Sequence, residues 1–123
     1  MCQKGNAQFA IIVSELSITA IMLSLPKVSL CVPTFNGTEF LQDTLECIEK
    51  QNYTNLEIIF CDDCSTDETV AMVNKFINLQ PDGSRRLIES QSRQGLPSNW
   101  NLCIKESTGD YIKFLFQDDC LMP

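Results

Sequence analysis

The 123-residue chain contains no histidine, and that absence removes much of the usual catalytic repertoire. Zinc sites of the common His-containing kinds are excluded, as is Ser-His or Cys-His nucleophilic machinery. Cations are scarce too: nine Lys and Arg face sixteen Asp and Glu, a net charge of −7. No basic cluster exceeds the Arg85-Arg86 pair. A phosphate backbone needs clustered cations, so nucleic acid is not the expected ligand. Glycine is limited to five residues, and neither G-x-G-x-x-G nor a P-loop occurs. Nucleotide phosphates would therefore be held by a metal rather than by a glycine-rich cradle. Long apolar runs are also missing. The nearest, Phe9 to Leu25, is interrupted by Glu15 and several Ser and Thr, and it is at the short limit for a membrane span. Only Lys4 supplies a positive n-region and no small-x-small site precedes Pro26, so a signal peptide is not indicated. Residues 1–25 read as a leader of unassigned structure, and a membrane association is left open.

What is present suits one globular domain: 44% hydrophobic and 20% charged residues in a chain too short for two ordinary domains. Most of the seven cysteines fall within apolar helix or strand patterns, where a reduced Cys acts as a small hydrophobe. A reducing compartment fits better than a disulfide framework, which points to the cytoplasm, including the inner face of a membrane. Cys61-Asp62-Asp63-Cys64 has C-x-x-C spacing. A redox pair would want electropositive surroundings, yet two aspartates lie between the sulfurs, and a zinc site would need further Cys or His partners.

Two pairs of adjacent aspartates dominate the remainder. Asp62-Asp63 closes the run Leu56 to Cys61, and Asp118-Asp119 follows Tyr111 to Phe116; both runs read as buried strands. Val28 to Val32 forms another β-rich run, ended by Pro33, and Arg86 to Glu89 a short one. Helical spacing of Phe40, Leu41, Leu45 and Ile48 follows the first strand, with Asn36 or Thr38 as cap. Ser65-Thr66-Asp67-Glu68 has the form of a capping box for a helix through Ile77, and Pro97 opens a third helix to Lys105. Strands separated by helices imply βαβ crossovers: an α/β, Rossmann-like three-layer αβα fold with a mainly parallel sheet. Ligands of such sheets bind beyond the carboxyl ends of the strands. Four carboxylates gathered there would repel one another unless a cation or a donor-rich ligand sat among them.

Five segments in this order carry a resemblance. They are Val28 to Gly37, Gln51 to Ile59, Asp62 to Thr69, Gly95 to Asn101 and Gly109 to Asp119. From Pro26 to Pro123 the chain resembles the amino-terminal, nucleotide-sugar-binding half of glycosyltransferase family 2, which has the GT-A fold. That resemblance implies inverting transfer of a sugar from a nucleotide-diphosphate sugar, often UDP-linked, to an acceptor hydroxyl on a glycan, lipid or protein. It implies Mn²⁺ or Mg²⁺ as cofactor. By motif, Pro33, Thr34 and Phe35 would border the base, Asp63 would accept from its ring N–H, and Asp118, with Asp119 beside it, would bind metal. Carboxylates suit both tasks, being acceptor-only toward a base N–H and hard oxygen ligands toward the ion.

The chain departs from the family pattern in places. Phe116 stands where the acid-x-acid motif has its first acid, Cys64 where glycine is common, and Trp100 where many members have arginine. The chain ends just past the metal motif, so the acceptor half and its catalytic base are expected to be missing. Rival readings are an inactive, partner-binding remnant of the fold and a receiver-type signalling domain. A receiver wants acids after its first strand and a late lysine. Here Pro33-Thr34 follow that strand, and no lysine follows Lys113.

Overall fold

The computed structural model describes residues 17–20 and 24–123. Most of the leader expected over residues 1–25 lies outside the described residues. Among those described, no helix is long and apolar enough to cross a membrane.

From Val28 onward, seven elements alternate strictly among the described residues: β1 (Val28–Thr34), α1 (Leu41–Glu49), β2 (Leu56–Asp62), α2 (Thr69–Asn78), β3 (Arg85–Glu89), α3 (Leu96–Glu106) and β4 (Tyr111–Phe114). The four strands form one sheet in the order β3-β2-β1-β4, and every pairing is parallel. Period-two alternation sends neighbouring side chains to opposite faces. Leu30, Val32, Ile58 and Phe60 meet Leu41, Leu45 and Ile48 of α1 and Val73 and Phe76 of α2. Cys31, Ile59 and Cys61 meet Cys103 of α3. The result is the expected three-layer α/β architecture. Three of its cysteines do serve as small, buried, unbonded hydrophobes.

Several local expectations are corrected. The run Tyr111 to Phe116 is not a buried strand. As the sheet's edge, β4 leaves Tyr111, Ile112 and Lys113 exposed, and it ends at Phe114. The capping box does not close, because Asp62 takes both the N–H and the hydroxyl of Ser65. The helix instead starts at Thr69, whose N–H donates to Asp67. Asn36 and Thr38 do not cap α1; the Asn36 carbonyl accepts from Thr66 N–H, and Thr38 N–H donates to Asp67. Finally, Cys47 and Cys120 form a disulfide with Cα atoms 5.6 Å apart, against the expectation of a fully reduced set. The chain leaving β4 turns back across α1, and this brings together two residues that lie 73 positions apart.

The edge strand is fixed from its amino end by Glu57, a buried carboxylate that accepts from Ser29 Oγ, from the N–H and hydroxyl of Thr108, and from Lys27 Nζ at 3.1 Å. Gly109 packs so closely on Ser29 and Lys27 that a Cβ there would overlap their backbone. Burial raises the Glu57 pKa, but the hydrogen bonds from Ser29, Thr108 and Lys27 together outweigh it and hold the group at about 2. A folded pKa below the ordinary 4.5 means that Glu57 stabilises the fold above that pH, and the contribution is lost as pH falls toward about 2. Its size is about 3 kcal/mol. Urea denaturation should therefore show a steeper loss of stability between pH 4.5 and 2 in the native chain than in Glu57→Gln. Parallel pH profiles would refute this. Reduction of the disulfide should lower the unfolding free energy by about 2–4 kcal/mol, an effect absent from Cys120→Ser.

Candidate functional site

The order β3-β2-β1-β4 reverses direction at β1: the chain first builds outward through β2 and β3, then returns to add β4 on the other edge of β1. Helices α1 and α2 therefore cover one face of the sheet and α3 the other, and a crevice opens at the carboxyl ends where they part. A cleft of about 340 Å³ lies there. Pro33, Thr34 and Phe35 from β1, Asp63 from β2, Arg93 to Trp100 around the start of α3, and Phe116 to Asp118 after β4 supply its walls.

The first acid pair divides its duties. Asp62 is buried, and it accepts from Thr34 Oγ1 at 2.8 Å and from both Ser65 donors, so it braces the loop. Asp63 lines the cleft. Its Oδ1 accepts from Gln94 N–H at 2.6 Å and its Oδ2 from Gly95 N–H at 3.0 Å. A carboxylate offers roughly four acceptor positions, so about half of this one's capacity is left. Gly95, at φ 86°, supplies the left-handed turn that aims these N–H groups at Asp63. Cys64 also adopts a left-handed conformation, φ 64°, which a glycine would take without steric cost. Neither Cys61 nor Cys64 is disulfide-bonded.

Phe35 is held by a residue that sequence reasoning missed. Gln117 accepts from Phe35 N–H at 2.8 Å and donates to its carbonyl at 2.9 Å, a two-pronged bracket between the β1 and β4 exits. A Cβ at Gly37 would overlap the Gln117 amide, so a larger residue there would displace the bracket. No local signal marks this pair, which is 82 residues apart. The Arg93 guanidinium lies 4.1 Å from the Phe35 ring centroid and covers one face of the ring by a cation–π contact. Buried Asn99 donates to Cys61 O at 2.8 Å, while its side-chain oxygen has no partner among the described residues.

The second acid pair is divided as well. Asp118 is exposed and lines the cleft. Asp119 is exposed but not part of the lining; its N–H donates to Phe116 O, and its carbonyl accepts from Thr44. Thr44 also donates to Gln117 O, and Gln51 donates to Leu121 O, so the segment bearing Asp118 is fastened to α1 on both sides of the Cys47–Cys120 bridge. Among the described residues, no three Cys, Asp or Glu converge to form a metal cage. The donor set fits a different arrangement. Small hard cations such as Mg²⁺ commonly use one or two carboxylates together with substrate phosphates and water. One exposed carboxylate at the cleft satisfies that pattern.

Comparison with known proteins agrees with this geometry. A profile described as "Glycosyl transferase family 2" matches residues 29–123. The Campylobacter jejuni GalNAc(5)-diNAcBac-PP-undecaprenol beta-1,3-glucosyltransferase is 36% identical over 100 residues, covering 80% of this chain and 31% of the relative. The structure of Staphylococcus aureus TarS in complex with UDP-GlcNAc superposes with a TM-score of 0.70 at 29% identity, over 76% of this chain and 27% of that one. A mannosyltransferase from Pyrobaculum calidifontis, solved with GDP-Man and Mn²⁺, shares the fold at a TM-score of 0.72 and 24% identity, over 93% of this chain and 37% of that one. The chain thus spans about a third of the length of these proteins. With its GT-A sheet, its cleft at the strand reversal and a profile match over most of its length, the chain belongs to glycosyl transferase family 2.

Proposed function

We propose that residues 26–123 form the donor-binding portion of a metal-dependent, inverting glycosyltransferase that takes a sugar from a nucleotide-diphosphate sugar, UDP-linked, to an acceptor hydroxyl. One observation carries this reading: Asp63 and Asp118 line the same cleft, at the exits of strands two places apart in the sheet. A ligand with a base at one end and a diphosphate at the other can meet both acids in one cleft. UDP-GlcNAc in the S. aureus TarS structure supports the donor class, and GDP-Man with Mn²⁺ in the mannosyltransferase supports a divalent ion.

In this reading the remaining acceptor capacity of Asp63 takes the ring N–H of the base, while Pro33, Thr34 and Phe35 border it. The Gln117 bracket keeps Phe35 in register with the β4 exit, so the base site and the diphosphate site hold a fixed separation. Asp118 is the principal protein ligand proposed for Mn²⁺ or Mg²⁺, with Asp119 adjacent in sequence. When bound, the ion supplies positive charge against the diphosphate leaving group. Arg93, already over Phe35, is the cleft's only basic side chain among the described residues. The acceptor site and general base are assigned to a longer protein of the relatives' size, working beside a cytoplasmic membrane face or in the cytoplasm.

Calorimetry with UDP and GDP, with and without Mn²⁺, tests the division of labour. Asp63→Asn should weaken nucleotide binding by roughly tenfold to a hundredfold in either condition, the magnitude of a charged hydrogen bond. Asp118→Ala should leave metal-free binding intact and abolish the increment given by Mn²⁺. Equal losses in both variants, or no loss in either, would sink the assignment.

A further inference from the structure

The two aromatic departures from the family pattern touch each other. The rings of Trp100 and Phe116 lie 5.3 Å apart between centroids, tilted by 42°, and both line the cleft. Phe114 completes the group, 6.1 Å from Trp100 and nearly parallel to Phe116. These rings are not consumed by the core: Trp100 is 37% exposed and Phe116 36%. The position of the group along the cleft is set by the sheet. Asp63 leaves β2, Phe35 leaves β1, and Phe116 precedes Asp118 beyond β4, which puts Phe116 on the Asp118 side, while Trp100 reaches it from α3.

We propose that Trp100 and Phe116 form a wall that packs against the C–H face of the pyranose carried by the donor, so that this chain recognises the sugar beyond the diphosphate. The inference rests on the donor-binding reading above. In a nucleotide sugar oriented with its base at Asp63 and its phosphates at Asp118, the ribose lies between those two groups and the pyranose beyond them, on the Phe116 side of the wall. A pyranose presents axial C–H bonds on one face, and the negative face of an aromatic ring is complementary to them. A mostly apolar surface with a few placed polar groups is the usual composition of a small-molecule site. Phe116 fills the place of the family motif's first acid, two residues before Asp118, so sugar contact takes over there.

Trp100 is the only tryptophan in the chain, so its fluorescence reports on the wall directly. Titrations would compare UDP with UDP-glucose and UDP-N-acetylglucosamine, and GDP with GDP-mannose, all with Mn²⁺. The expected result is that one sugar-linked form binds roughly threefold to tenfold tighter than its parent diphosphate and shifts Trp100 emission further. Phe116→Ala should bring that preference to within about twofold while UDP or GDP affinity is retained. Phe116→Asp should lose the preference and gain a larger Mn²⁺ increment. Both positions are substantially exposed, and far-UV circular dichroism would confirm that each variant folds. If nucleoside diphosphates bind but the added sugar changes neither affinity nor emission, or if Phe116→Ala keeps the preference, the wall is refuted and the donor cleft stands. If no nucleotide binds at all, both proposals fall.

Discussion

The central position of β1 is the constraint on which the rest depends. Hydrogen-bonded in parallel to β2 along one edge and to β4 along the other, β1 has no freedom to slide without losing both ladders. Six of its seven residues are buried. A one-residue slip would turn Leu30 and Val32 away from α1 and α2 and set Cys31 in their place. Its exit is therefore fixed in three dimensions before any ligand arrives. Because the strand order reverses there, that exit is also where the helices part to opposite faces of the sheet. The cleft follows from the topology; the side chains only give it chemistry.

The loops around the cleft are then locked to one another by polar contacts over long sequence separations. Asn36 joins Ser65 and Thr66, Gly37 N–H donates to Thr69, and Thr38 N–H donates to Asp67. Gln117 brackets Phe35, and Asp63 gathers Gln94 and Gly95. Each bond satisfies a backbone group that a loop would otherwise leave to water. Together they connect all three strand exits that form the cleft to a common frame, and the disulfide ties that frame to α1. A site built this way loses little conformational entropy when a ligand binds, which is the usual benefit of preorganisation.

The sequence made the layers legible because apolar periodicity is a local property. The four strands, the three helices and their alternation can be read from spacing, and the ends agree to within one to three residues, save at the amino end of α2. The five ordered motifs led to the family in the same way. What escaped reading was everything decided by a distant partner. Ser65 looks like a cap until Asp62 is seen to hold both its donors. Cys120 looks like a free thiol because nothing nearby in sequence shows the return over α1. Gln117 has no mark at all, since its significance lies in Phe35. The exposure of β4 likewise depends on strand order, which composition does not reveal.

The same distinction resolves the repulsion that four adjacent carboxylates seem to demand. They are not gathered as four. Asp62 still belongs to β2 and accepts three hydrogen bonds, one from Thr34 at the end of β1 and two from Ser65 in the loop that follows. One residue further on, Asp63 meets two backbone N–H groups, which stabilise it as an anion without a metal. Asp119 falls outside the lining, leaving Asp118 as the cleft's other acid. The cleft therefore holds two carboxylates from different strand exits, one already hydrogen-bonded to backbone and one exposed to solvent. In the proposed reading, a counter-ion is called for only where the donor's diphosphate adds further negative charge beside Asp118, so that ion and donor would assemble together.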